Sequence, residues 1–194
     1  MIKKTLVLLF LICGIANADE RIVRIVNTSG GISTGFYIQE SVLIGCAHAM
    51  EPNEQVQINP QLFSEYLVGT VIQHNIGADY AFIKVPGKHK FFKRAPLPKL
   101  GASVRSGGFP GGVKGIVWRE GAQLTERGAS TDGLHHFFIL RMPTYPGQSG
   151  SPVLLNDEVI GMVHAQFDEN ANACCVDLNS IPSGVDGFAS NSGQ

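Results

Sequence analysis

Apolar residues in this chain come in short runs, each cut off by Gly, Pro, Asn or Asp, and no stretch sustains the 3.6-residue period of an amphipathic helix. Runs of this length read as strands, first at Ile22 to Val26, Thr34 to Ile38, Val42 to Cys46, Gln55 to Ile58, Leu67 to Gln73 and Tyr80 to Val85. The segment "PGKHKFFKRAPLPKLG", Pro86 to Gly101, follows; its three prolines and basic cluster mark a crossing between two halves. Six more runs continue at Ala102 to Arg105, Gly115 to Trp118, His136 to Met142, Pro152 to Leu155, Val159 to Ala165 and Ala173 to Leu178. Short strands at regular spacing with turn signals between them argue against α/β and for a sandwich or barrels. Six runs on each side of one linker predict two similar all-β lobes. A chain of 194 residues that is 44% hydrophobic can bury a sizeable core for them.

The opening "MIKKTLVLLFLICGIANADE" has Lys3 and Lys4, an apolar run from Leu6 to Ile15, and small residues Ala16 and Ala18. It reads as a secretory signal peptide over residues 1–18, since the apolar run falls short of the ~20 residues of a spanning helix. Its removal leaves 176 residues with 13 basic and 16 acidic side chains, a net charge of −3. A secreted or periplasmic protein is expected, with no membrane association once the signal is gone. So little charge carries no nucleic-acid footprint. The cluster "KHKFFKR", Lys88 to Arg94, reads as a solvated connector, and the Ser- and Gly-rich end, Ser183 to Gln194, as a disordered tail. The mature chain keeps Cys46, Cys174 and Cys175. Either Cys46 bonds to one of the tandem pair, or a thiol stays free, as a buried apolar Cys46 would.

Three segments carry candidate chemistry. In "YPGQSGSPVLL", Gly147 lets the backbone turn tightly so that the N–H groups of Gly147 and Ser149 can face one small space. A serine hydroxyl is a weak nucleophile that needs a base, and the oxygen charged by its attack needs such donors. In "VLIGCAHAM", His48 ends an apolar strand between two small alanines, which leaves its imidazole room to face a cleft. In "GADYAFIKV", Asp79 starts another strand, where a carboxylate can be buried and still accept hydrogen bonds. Each segment alone also fits a plain turn or a structural histidine.

Together the order His48, Asp79, Ser149 and the contexts "AHA", "DYAFIKV" and "GQSGSP" resemble the chymotrypsin-like serine peptidases over most of residues 22–181. The segments "STGFYI", "GGFPGG" and "EVIGMVHA" agree, and the style is most similar to compact bacterial glutamyl endopeptidases and viral chymotrypsin-like proteases. The resemblance implies two six-stranded antiparallel β-barrels with the active site in the cleft between them. The first barrel would cover about 19–86, the linker about 87–100 and the second barrel about 101–182. It also implies a catalytic triad of His48, Asp79 and Ser149, an oxyanion hole from Gly147 and Ser149, no metal or cofactor, and a monomer acting on protein or peptide substrates.

Arg21-Ile22-Val23 invites comparison with relatives whose freed Ile amine pairs with an aspartate just before the serine. Here that position is Gln148, which offers no counter-charge, so activity without that cleavage is expected. The residue six before the serine is Pro143, which argues against a basic preference. Thr144 and His164 stand near places where glutamyl endopeptidases hold a Glu or Gln side chain, so both are expected to bind substrate. His164 lies one residue later than in those relatives, however, and a one-residue shift along a strand turns a side chain to the opposite face. Either a bulge restores it to the pocket, or Val163 fills the pocket wall and His164 lies beneath Asp79. The other histidines, His74, His89, His135 and His136, follow no ligand spacing and read as surface residues, and a zinc site from "HH" and "CC" is disfavoured by strand alternation. A non-catalytic binding module on the same fold is the main competing function, and intact candidate triad positions favour the enzyme. An esterase ranks last, because the nucleophile elbow and its residue order are absent.

Overall fold

The computed structural model describes residues 19–59, 65–131, 135–167 and 172–185. The expected leader, 1–18, lies outside them, as do residues 186–194 of the expected tail. Two closed antiparallel barrels account for the described strands. In the first, β1 (Ile22–Val26), β2 (Ile32–Gln39), β3 (Val42–Gly45), β4 (Gln55–Asn59), β5 (Leu67–Asn75) and β6 (Tyr80–Lys84) pair in the order β1-β2-β3-β6-β5-β4. The second comprises β7 (Ser103–Gly108), β8 (Val117–Ala129), β9 (His136–Pro143), β10 (Pro152–Leu155), β11 (Glu158–Gln166) and β12 (Asn172–Asp177). Its order is β10-β11-β12-β9-β8-β7, the same connectivity repeated. No helix among the described residues is long and apolar enough to cross a membrane.

The near-continuous apolar character of strands such as "VLIG" and "YAFIK" follows from burial on both faces. Val23, Ile25, Tyr37, Leu43 and Ile83 pack inside the first barrel. Their neighbours Ile22, Phe36, Ile44 and Phe82 point the other way and meet Phe109, Leu154 and Met162 between the barrels. Leu124, Phe138, Leu140 and Val153 belong to the interior of the second barrel.

Three expectations shift. β8 runs to Ala129 rather than ending at Trp118, because "GAQLT" alternates and sends only Ala122 and Leu124 inward. The linker is only partly a solvated connector: Lys88 and Lys90 are exposed, but Phe92 is 1% exposed and donates its N–H to the Tyr37 carbonyl. Arg94 donates to the carbonyls of Leu178, Ile181 and Pro182, and so fastens the linker to the end of the second barrel. Within the segment read as a tail, Gly184 is buried and Val185 packs against the interbarrel core.

Candidate active site

The apolar β3 ends at Gly45, and the chain turns through Cys46 into one 3-10 turn, Ala47–Ala49, that holds His48 over the cleft. His74 on β5 braces this turn, its Nε2 lying 3.0 Å from the carbonyls of Ala47 and Met50. It was expected at the surface, and a bonding partner 24 or more residues away leaves no local signal. Asp79 precedes β6 in left-handed backbone, φ 49°, which an aspartate tolerates better than most residues. That conformation turns its carboxylate back beneath His48. Ser149 lies in the loop before β10, in the second barrel.

The three side chains meet in one line. Asp79 Oδ2 is 2.8 Å from His48 Nδ1, Asp79 Oδ1 accepts the His48 backbone N–H at 2.8 Å, and His48 Nε2 is 3.2 Å from Ser149 Oγ. The His164 carbonyl, also 3.2 Å from Ser149 Oγ, is a second acceptor within reach of its one proton. His48 is exposed to the cleft, its side chain 41% accessible, and Asp79 is buried. Burial opposes charge on Asp79, but donations from His164 and His48 outweigh it and hold the carboxyl well below the ordinary range. The hydrogen bond to Asp79 in turn raises His48 above the usual histidine value, against the opposing effect of its partial burial. This is the electrostatic arrangement of a base that can carry a transient positive charge.

The loop around the serine is shaped by glycine and by a threonine from the other barrel. Gly147 has φ 91°, and any Cβ there would run into the Phe109 carbonyl. Among the described residues neither the Gly147 nor the Ser149 N–H donates a hydrogen bond, so both are open to a developing oxyanion. Thr34 on β2 donates Oγ1–H to the Gly147 carbonyl at 2.8 Å and its backbone N–H to the Ser149 carbonyl at 2.8 Å. It also accepts from the Phe109 N–H at 3.2 Å. Gln148 is fully buried and closes the turn by accepting from the Tyr145 N–H at 2.9 Å. Arg21 pairs with Asp19 and with Asp157 in the β10–β11 turn.

Beside Ser149 a cavity of about 220 Å³ is lined by Thr144, Tyr145, Pro146, Gln148, Val163, Ala165 and Gln166, with no charged side chain. Thr144 lines this cavity and His164 does not; of the two arrangements open in the sequence, the histidine takes the one that turns it to Asp79. Pairing of β11 with β12 slips at this point, Val163 opposite Cys175 and Ala165 opposite Cys174. The slip leaves Val163 and Ala165 on the cavity and turns the His164 ring onto Asp79, to which its Nδ1 hydrogen-bonds. Cys46, fully buried under His48, donates Sγ–H to the Val163 carbonyl at 3.3 Å, and burial pushes its thiol well up. Burial does the same to Cys175, and all three described cysteines are free thiols. Cys46, His48 and Asp79 converge within 4.8 Å, but a protonated thiol and a hydrogen-bonded Nδ1 make them a hydrogen-bonded network rather than a ligand set.

None of the curated proteins matches this chain. Solved structures do share its fold. The Rv3671c protease of M. tuberculosis in its active form is 22% identical with a TM-score of 0.72, covering 84% of this chain and 78% of that one. A second structure of that protease, in its inactive form, has a TM-score of 0.73 at 22% identity, covering 84% and 86%. The serine endoprotease from Yersinia pestis has a TM-score of 0.72 at 15% identity, covering 84% of this chain and 60% of that one. The trypsin-like peptidase domain matches residues 33–162, a span that holds His48, Asp79 and Ser149. The chain belongs to that family and is a serine endopeptidase.

Proposed function

We propose that the protein is a secreted or periplasmic endopeptidase that works through an acyl-enzyme on Ser149, with His48 and Asp79 completing the triad. The reading is carried by the continuous Asp79–His48–Ser149 line lying next to two open N–H groups. Ser149 Oγ attacks the scissile carbonyl carbon while its proton passes to His48 Nε2. The C–N bond then breaks and the same proton goes to the leaving amine; a water, deprotonated by His48, hydrolyses the ester. Asp79 stabilises the charged imidazole in both halves. The N–H groups of Gly147 and Ser149 hold the oxyanion, where losing one donor costs about 3 to 4 kcal/mol. No cleavage before Ile22 is required, because Gln148 gives a freed amine no counter-charge and Ile22 is already buried in β1.

A cavity without charge suits an uncharged side chain before the cleaved bond. The Glu or Gln preference suggested by His164 loses its imidazole to Asp79, and the polar groups left, Thr144 and two glutamines, accommodate Gln better than Glu.

A fluorophosphonate probe tests the nucleophile: the mature chain labels and Ser149→Ala does not; equal labelling of the two ends the proposal. Cleavage of a mixed peptide library after Arg, Lys or Glu would refute the uncharged pocket. Amino-terminal sequencing of the exported protein should begin at Asp19.

A further inference from the structure

Residue 164 touches both ends of the line of side chains described above. Its ring donates from Nδ1 to Asp79 Oδ2, the oxygen that also takes His48 Nδ1. Its carbonyl is a second acceptor within reach of Ser149 Oγ. The His48 and His164 rings meet edge to face, their centroids 5.7 Å apart and their planes at 76°. One carboxylate is thus held by three donors, two rings on Oδ2 and one backbone N–H on Oδ1. A side chain so placed cannot be exchanged for an apolar one without freeing a buried carboxylate to turn away from His48.

The proton count on the ring follows from its neighbours. A neutral imidazole has one N–H and one bare nitrogen, and a carboxylate takes the N–H, so the neutral His164 carries its proton on Nδ1. The ring borders a cavity of about 310 Å³ that Asp79, Ser130, His135, His136 and Cys174 also line.

We propose that His164 is a positioning residue of the triad: its ring N–H fixes the Asp79 carboxylate for His48. The inference rests on the triad assignment proposed above.

The test compares wild type, His164→Asn and His164→Leu by kcat and KM at the pH of full activity. Asn keeps an N–H toward Asp79; Leu has none. The Leu variant should lose about ten- to hundredfold in plateau kcat with KM little changed, the size of one hydrogen bond to a charged group. Asn should recover plateau kcat to within about threefold of wild type, since a neutral donor remains. Wild-type kcat in His164→Leu, or no rescue by Asn, overturns the proposal. Nitrogen-15 histidine spectra supply a readout independent of turnover: two hydrogen-bonded Nδ1–H signals in wild type, one in His164→Asn. A single signal in wild type would overturn the placement of His164 whether or not Ser149 is the nucleophile. Equal fluorophosphonate labelling of wild type and Ser149→Ala would instead overturn the nucleophile alone.

Discussion

Asp79 keeps its charge while only 5% exposed, and its donors explain how. Folded, the carboxyl holds a proton less readily than it does unfolded, where the ordinary value is about 3.9. The group therefore adds stability above that pH and withdraws it as the pH falls below. Urea melts repeated from about pH 6 down to 3 should show this loss, and Asp79→Asn should flatten it; an unchanged pH dependence in the variant would contradict the assignment. The same substitution should lower kcat by about 10⁴ with the fold retained, because the wrong tautomer of His48 is then favoured. His48, Asp79 and Ser149 were legible in the sequence because each sits in a short apolar or glycine-rich context that fixes its local turn. The facing of His164 was not, because it depends on a slip in pairing between two strands, which neither strand encodes alone. Thr34 reads in the sequence as a strand residue; nothing around it announces that its hydroxyl reaches the other barrel.

In the loop from Tyr145 to Gly150, Gly147 and Gly150 both have left-handed backbone and no room for a side chain, and Gly147 lies beside the oxyanion position. An alanine there would need left-handed backbone and would press on the Phe109 carbonyl, so the N–H at 147 should swing from the oxyanion position. Gly147→Ala should lose about 10²-fold or more in kcat, with circular dichroism unchanged; full activity would place the oxyanion hole elsewhere. Strands were readable where both faces are buried, as in β3 and β6, because a continuous apolar run has few other uses in a chain this rich in turns. β8 extends past the expected Trp118 because it buries only Ala122 and Leu124, and a polar alternating strand resembles a loop in composition.

Across the whole molecule the linker acts as a pin. Phe92 meets Phe36 edge to face with centroids 6.0 Å apart, and the Arg21 guanidinium sits 3.9 Å from its ring centre. Phe92→Ala should cost about 3 to 5 kcal/mol of unfolding free energy. The neighbouring Phe91→Ala, at a 43% exposed position, should stay within about 0.5 kcal/mol. Chemical denaturation of the two variants decides the matter, and equal effects would mean that Phe92 is not part of the core. Thr34 belongs to the first barrel, yet it grips the carbonyls of both Gly147 and Ser149 in the second. The nucleophile's loop is therefore set by a residue that travels with the base. Turnover becomes a gauge of how the two barrels are aligned: an offset of about one ångström, too small to disturb either barrel's own pairing, can cost on the order of a hundredfold in rate.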